Sequence, residues 1–280
     1  MNKREVEQLL QEQGISVKKK FGQNFLLDKN ILNGIVNVLN SSDMQNVIEI
    51  GPGLGFLTRE INKKASNLVL YEIDDEMVTY LTKLNLPNTI IRNIDILKVD
   101  LEKEIKENFK DSSVSLVANL PYYITTAILT KFLTETNQVN KMVVMMQKEV
   151  AMRICGKPKT KDYNALSVFI QYYSNAHIAL SVSANCFYPA PEVESSVVLI
   201  ERKEIKNKAL NDDAFNNFVK WIFAQRRKTL MNNISKTSIP KEVVNEKLKL
   251  LGHSATVRSE ELSVDEIVDL FNNIYTEYKF

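Results

Sequence analysis

The sequence predicts a doubly wound α/β domain followed by a smaller, wholly helical one. Three observations carry the prediction: five short apolar runs alternating with helix-length stretches between residues 45 and 150, a glycine-rich turn where the first run ends, and a change of texture after Glu201. Alternating strand and helix signals are what a parallel sheet with helices on both faces produces.

The runs, in order, are NVIEI (46–50), NLVLYEI (67–73), NTIIRNI (88–94), SVSLVANL (113–120) and KMVVMMQ (141–147). Their Val and Ile content without regular polar alternation suits strands covered on both faces. Two further candidates, AHIALSVSA (176–184) and SVVLIE (196–201), bring the expected count to about seven strands. Beyond them Phe215, Phe218, Val219, Ile222 and Phe223 recur at helical spacing and no convincing strand returns. The expected division is an α/β domain over 1–205 and a helical domain over 206–280, in keeping with a chain of this length.

At 44% hydrophobic and 25% charged, with 8 Gly and 7 Pro among 280 residues, the chain is neither disordered nor fibrous. Cys155 and Cys186 are far apart and lie in no CxxC or Cys/His spacing, so neither a disulfide framework nor a structural zinc site is expected. His177 and His253 are the only histidines, which leaves almost no material for a histidine triad or a multi-histidine metal centre. The first thirty residues contain no apolar core of signal-peptide length, and no uninterrupted apolar run reaches about 18 residues. A cytoplasmic chain with no membrane partner and no metal is the expectation.

The first motif is Gly51-Pro52-Gly53-Leu54-Gly55, directly after the strand 46–50. Glycines there let the backbone approach a ligand and reach dihedrals closed to other residues. A dinucleotide fingerprint needs G-x-G-x-x-G, and Phe56 stands where the last glycine belongs, so the pyrophosphate-binding form fails. Glu72 follows Gly51 by twenty-one residues at the end of the next strand, where a carboxylate can accept both ribose hydroxyls of an adenosine-containing ligand. S-adenosylmethionine enzymes share that acid and lack the pyrophosphate; Glu49 would sit awkwardly beside phosphates but acceptably near a sulfonium. Asp95, ending the third strand, is placed to accept from an adenine amino group. Taken singly, a GxGxG is also an ordinary tight strand–helix turn and a strand-end acid is also a solvated one; their succession in three units favours the ligand.

The second motif, Asn119-Leu120-Pro121-Tyr122, ends the fourth strand. It suits methylation of an exocyclic amino nitrogen, whose lone pair is delocalised into its ring. The Asn119 amide oxygen and the Leu120 carbonyl, held by the rigid Pro121, can accept the two amine hydrogens, and Tyr122 can stack on the base. No strong general base is required, in keeping with the shortage of histidine. The competing assignment is a strand stop with Tyr122 in the core.

With these residues in view, the sequence resembles the ribosomal RNA adenine N6-dimethyltransferases, a family of Rossmann-like methyltransferases, and within it the small-subunit type. Lys19-Lys20-Phe21-Gly22-Gln23-Asn24-Phe25-Leu26 is similar to the family's N-terminal cofactor-closing motif, which implies that Asn24 and Leu26 contact S-adenosylmethionine together with Gly51, Gly53, Glu72, Asp95 and Asn119. Phe187-Tyr188-Pro189-Ala190-Pro191-Glu192-Val193-Glu194-Ser195 resembles the family's F-x-P-x-P-x-V-x-S segment, which implies that Phe187 and Tyr122 sandwich a flipped adenine. On its own pattern Phe187 reads as a core aromatic. The subfamily rests on Leu54 within the glycine turn and on the segments 223–228 and 258–263. The resemblance implies four methyl transfers, two to each of two adjacent adenosines in the 3′-terminal hairpin of 16S rRNA on an assembling small subunit. The alternatives are a macrolide-resistance methylase of large-subunit rRNA, a DNA adenine methylase, and a non-catalytic RNA-binding assembly factor.

The formal charge is only +2, yet it is unevenly spread. Residues 220–249 hold eight basic side chains, among them Arg226, Arg227 and Lys228, against Glu242 and Glu246. Residues 141–161 hold six, including Lys157 and Lys159, against Glu149, and Lys18-Lys19-Lys20 forms a third cluster. Such patches attract phosphate without regard to sequence. The expectation is that the three clusters face the RNA on one side of a monomeric enzyme, although each is also compatible with a solvated face.

Overall fold

A computed structural model describes residues 2–18, 22–121, 124–235 and 237–280. They group into two units, Met1–Ala151 with Ala176–Arg202 and Met152–Asn175 with Lys203–Phe280.

The chain begins with α1 (Lys3–Gln13), started by a capping box in which the Asn2 side chain accepts from the Glu5 backbone and Glu5 reaches back to Asn2. Then come β1 (Phe25–Leu26), α2 (Lys29–Asn37), β2 (Asn46–Ile50), α3 (Phe56–Asn62), β3 (Asn67–Glu72), α4 (Asp75–Lys83) and β4 (Thr89–Asn93). They are followed by α5 (Leu101–Phe109), β5 (Val114–Asn119), α6 (Thr125–Thr134), β6 (Val139–Gln147), α7 (Lys148–Ile154), α8 (Ala165–Tyr173), β7 (Ser174–Val182), β8 (Phe187–Tyr188) and β9 (Ser195–Arg202). Aspartates start several of the helices: Asp28, Asp74 and Asp100 each accept from backbone N–H groups in the first turn of α2, α4 and α5.

All seven runs read as strands pair in one sheet, in the order β4-β3-β2-β5-β6-β9-β7. Strands β2 to β6 run parallel and β9 is antiparallel to β6. The chain builds outward from β2 to β4 on one side and resumes with β5 and β6 on the other, so the order reverses between β2 and β5. The crevice at the carboxyl ends of those two strands is where an open α/β sheet binds its ligand. The sheet's central strands are dry: Val47, Ile48, Leu116, Val117, Val143 and Val144 are wholly buried. One face packs on Leu32, Ile35 and Val36 of α2 and on Leu57 and Ile61 of α3. Val6 and Leu10 of α1 pack with Met77 and Tyr80 of α4 and with Phe25 and Leu54.

A second, two-stranded sheet pairs β1 with β8, Phe25 opposite Tyr188 and Leu26 opposite Phe187. Two-residue strands leave no periodic trace in a sequence, and this ladder was not among the expectations.

The second unit holds α8 together with α9 (Asp212–Ile222), α10 (Leu230–Ile234), α11 (Lys241–Leu250) and α12 (Val264–Glu277). Its core is aromatic: Phe215 lies 4.9 Å from Tyr172 and 5.4 Å from Phe271, ring centre to ring centre. The Tyr172 hydroxyl accepts from the Ala209 N–H at 3.0 Å and donates to Asp212 at 3.2 Å. Among the described residues no helix is long and apolar enough to cross a membrane.

Candidate active site

Strand β2 runs into three glycines that all sit in the left-handed region, with φ of 65° at Gly51, 53° at Gly53 and 70° at Gly55. A side chain at any of them would be strained. At Gly53 space is also short, because a Cβ would stand 3.2 Å from the Phe25 ring. The Gly51 N–H donates to the Tyr71 carbonyl at 2.9 Å, and the Gly53 N–H donates to Glu72 Oε2 at 3.1 Å. The glycine turn is thereby tied to the end of β3.

Glu72 is nearly buried and collects two further backbone donors on Oε1, Ile73 at 2.9 Å and Asp74 at 3.0 Å. Burial nevertheless holds its carboxyl above the usual range, and the neighbouring Asp74 charge adds to that shift. Asp95 uses Oδ1 to cap a short 3-10 turn, accepting from the Leu97 N–H at 3.0 Å, and lines the same pocket. Glu49 is more extreme: it is 1% exposed, its Oε2 has no hydrogen-bond partner, and burial, reinforced by the Glu72 charge, pushes its carboxyl up to about 8. The buried Thr58 hydroxyl offsets part of that rise.

On the β5 side, the Asn119 carboxamide donates from Nδ2 to the Asn24 carbonyl at 3.3 Å. The Leu120 N–H donates to Met145 of β6, and the Pro121 carbonyl accepts from the Ile124 N–H and the Thr125 hydroxyl, each at 3.2 Å. These bonds hold the Asn-Leu-Pro turn from both sides. Phe187 is buried opposite Leu26 in the small sheet. It belongs to the core, as its own pattern suggested, and it also lines the pocket. Tyr122 lies outside the described residues.

One pocket of the first unit is thus lined by Asn24, Leu26, Gly51, Gly53, Glu72, Asp95, Asn119, Leu120, Pro121 and Phe187, ten residues singled out from sequence in separate motifs. Gln23, Ile73 and Ile94 line it as well. The two isoleucines are large apolar side chains left 41% and 43% exposed just past strand ends, a pattern that could have marked them as walls for a flat ligand. Gln23 falls within the 19–26 segment that resembles the cofactor-closing motif.

The described basic residues divide between the two units. Lys18, assigned to an RNA-binding cluster, places its ammonium 2.5 Å from Asp74 and 3.0 Å from Glu76, so its charge is matched within the protein. The hydrogen bond to Asp74, foremost, raises its pKa. Lys19, Lys20 and Lys236 lie outside the described residues. Lys141 is paired with Asp43 and Glu201. Lys157, Lys159, Arg226, Arg227 and Lys228 are exposed on the second unit, where Glu260 draws two loops together: its carbonyl accepts from the Lys159 N–H at 2.7 Å and its carboxylate pairs with Arg226 at 2.9 Å.

A largely parallel sheet with a glycine turn, a buried acid ending the next strand and an Asn-Leu-Pro turn across the switch point is the architecture of a Rossmann-like methyltransferase. Residues 14–276 match the family model described as ribosomal RNA adenine dimethylase, and the chain belongs to that family. It is 41% identical to the ribosomal RNA small subunit methyltransferase A of Mycoplasma capricolum, covering 93% of this chain and 98% of that one. With the enzyme of the same name from Streptococcus pneumoniae it shares 43% identity, over 94% and 93%. Among solved structures, a dimethyladenosine transferase from Plasmodium falciparum superposes with a TM-score of 0.74 at 22% identity, over 90% of this chain and 98% of that one. The 23S rRNA methyltransferase ErmE gives 0.67 at 22% identity, over 89% and 99%; both likenesses concern the fold. The chain is accordingly an rRNA adenine dimethyltransferase, and its family and fold imply S-adenosylmethionine as methyl donor.

Proposed function

We propose that this chain transfers methyl groups from S-adenosylmethionine to N6 of two adjacent adenosines in the 3′-terminal hairpin of 16S rRNA, two to each, and acts in maturation of the small ribosomal subunit in the cytoplasm as a monomer. The observation that carries the chemistry is the convergence of the acids at the ends of β3 and β4 with the Asn119-Leu120-Pro121 turn on one pocket. The small-subunit target rests on relatives of about 40% identity that carry that name over nearly their whole length.

The residues fit the donor. The buried Glu49 carboxyl, whose Oε2 is unsatisfied, suits a cationic ligand, and the left-handed glycines leave a cradle that side chains would fill. Glu72 would accept the ribose hydroxyls, Asp95 the adenine amino group, and Asn24, Leu26, Gly51 and Gly53 would line the remainder. When bound, S-adenosylmethionine supplies an electrophilic methyl on a positive sulfur. Asn119 Oδ1 and the Leu120 carbonyl accept the hydrogens of the target amine and favour a pyramidal nitrogen, while Phe187, with Tyr122, stacks on the flipped base. The product proton leaves to water. Positioning of this kind lowers a barrier by up to about 7–11 kcal/mol in favourable cases. Lys157, Lys159, Arg226, Arg227 and Lys228 would hold RNA phosphates.

The test is transfer of labelled methyl to immature 30S particles, 23S RNA and DNA offered in parallel. Label confined to 30S particles supports the assignment, label only in 23S RNA contradicts the subunit, and no label contradicts the enzyme.

A further inference from the structure

The segment that closes one side of the pocket is held by a side-chain network centred on Asp74, which with Lys18 lies outside the 19–26 motif. Asp74, 1% exposed at the start of α4, accepts from Lys18 Nζ at 2.5 Å and from Gln23 Nε2 at 2.9 Å. Lys18 also donates its backbone N–H to Gln23 Oε1 at 2.8 Å, and Glu76 accepts from Lys18 Nζ at 3.0 Å and from the Ser16 N–H at 3.1 Å. From there the connections run in two directions. The Asp74 N–H donates to Glu72, which in turn holds Gly53. Gln23 is followed by Asn24, whose carbonyl orients the Asn119 carboxamide.

We propose that Lys18 and Gln23 are positioning residues for the methyl donor: clasped on Asp74, they fix residues 22–24 against the pocket and couple that segment to Glu72 on one side and to Asn119 on the other. The inference rests on the assignment of this pocket to S-adenosylmethionine. Charge-assisted hydrogen bonds to a buried carboxylate are among the stronger ones available, and this carboxylate loses two of its three donors if the clasp opens. Lys18 then serves the donor and not the RNA.

Calorimetric titration of S-adenosylmethionine into the full-length protein without RNA separates the two roles. Lys18→Met and Gln23→Met are each expected to weaken donor binding about tenfold and to speed hydrogen exchange of the amides at 15–18 and 22–24, while Lys18→Arg stays within about twofold of the parent. RNA affinity and its salt dependence, measured without donor, should not change. Asp74→Asn keeps an acceptor for the first turn of α4 and should reproduce the loss, which guards against a folding defect in any one variant. Unchanged donor affinity in Lys18→Met and Gln23→Met overturns the proposal. Weaker RNA binding with a salt slope reduced by about one in Lys18→Met alone would make Lys18 a phosphate contact and overturn it too. A parent protein that binds no S-adenosylmethionine would overturn the pocket assignment itself; a parent that binds it beside indistinguishable variants leaves that assignment standing and removes only the clasp.

Discussion

Asn119 and Asn24, 95 positions apart in the chain, meet in a single hydrogen bond of 3.3 Å from the carboxamide of one to the backbone carbonyl of the other. The bond commits Nδ2, so the proposed acceptor for the target amine is Oδ1. Asn119→Ala is expected to lower kcat at least about 100-fold while changing donor affinity less than about fivefold. Asn119→Asp should be no better, because a carboxylate oxygen would then oppose the Asn24 carbonyl. Single-turnover rates with separately measured donor affinity check both.

Glu72 satisfies three backbone N–H groups, those of Gly53, Ile73 and Asp74. Glu72→Ala removes their acceptor as well as the proposed ribose contact. Unsatisfied buried donors cost about 1–3 kcal/mol each when water cannot reach them. The variant should bind S-adenosylmethionine at least about tenfold more weakly and melt at a lower temperature, read by calorimetry and thermal unfolding.

Gly53→Ala combines a φ of 53° with a Cβ 3.2 Å from the Phe25 ring. The left-handed backbone alone costs about 1–2 kcal/mol. Displacing Phe25 disturbs the β1 strand that also carries Leu26, so donor affinity should fall along with stability. An unchanged melting temperature would contradict the strain at this position.

Glu49 gives a pH dependence with a definite sign. Its folded-state pKa is raised, to about 8, chiefly by burial, so the donor-free protein favours the neutral carboxyl. That contribution to stability is fully present below the ordinary carboxylate range and is lost as pH rises through about 8. Between about pH 5 and about pH 9 the parent should lose melting temperature relative to Glu49→Gln. A cationic donor favours the carboxylate, so binding near neutral pH should release a proton and strengthen toward pH 8. Calorimetry in buffers of different ionisation enthalpy measures the release, which Glu49→Gln should abolish.

Arg227 and Lys228 are exposed on the second unit beside Arg226. If they hold phosphates, replacing either by alanine should raise the KM for ribosomal substrate and reduce the salt slope of RNA binding by about one, with donor affinity untouched.

Much of this was legible in the sequence because it is local. The seven strands announced themselves through runs of Val, Ile and Leu, and a parallel sheet then places Gly51, Glu72, Asp95 and Asn119 at strand ends facing one crevice. What was not legible depends on partners distant in sequence. Lys18 looked like one member of a basic triplet, but Asp74, 56 positions on, takes up its charge. The ladder of Phe25 and Leu26 with Tyr188 and Phe187 is too short to show a period, yet it brings Phe187 into the pocket. The packing of Tyr172 against Phe215 likewise has no local signal, since an apolar helix face does not name its partner.

The most direct test of the central claim is mass spectrometry of the 3′-terminal fragment of 16S rRNA from immature small subunits incubated with the protein and S-adenosylmethionine. The account predicts two adjacent N6,N6-dimethyladenosines in that hairpin and none in 23S RNA treated alongside. Dimethyladenosine in 23S RNA with an unmodified 16S hairpin would contradict it.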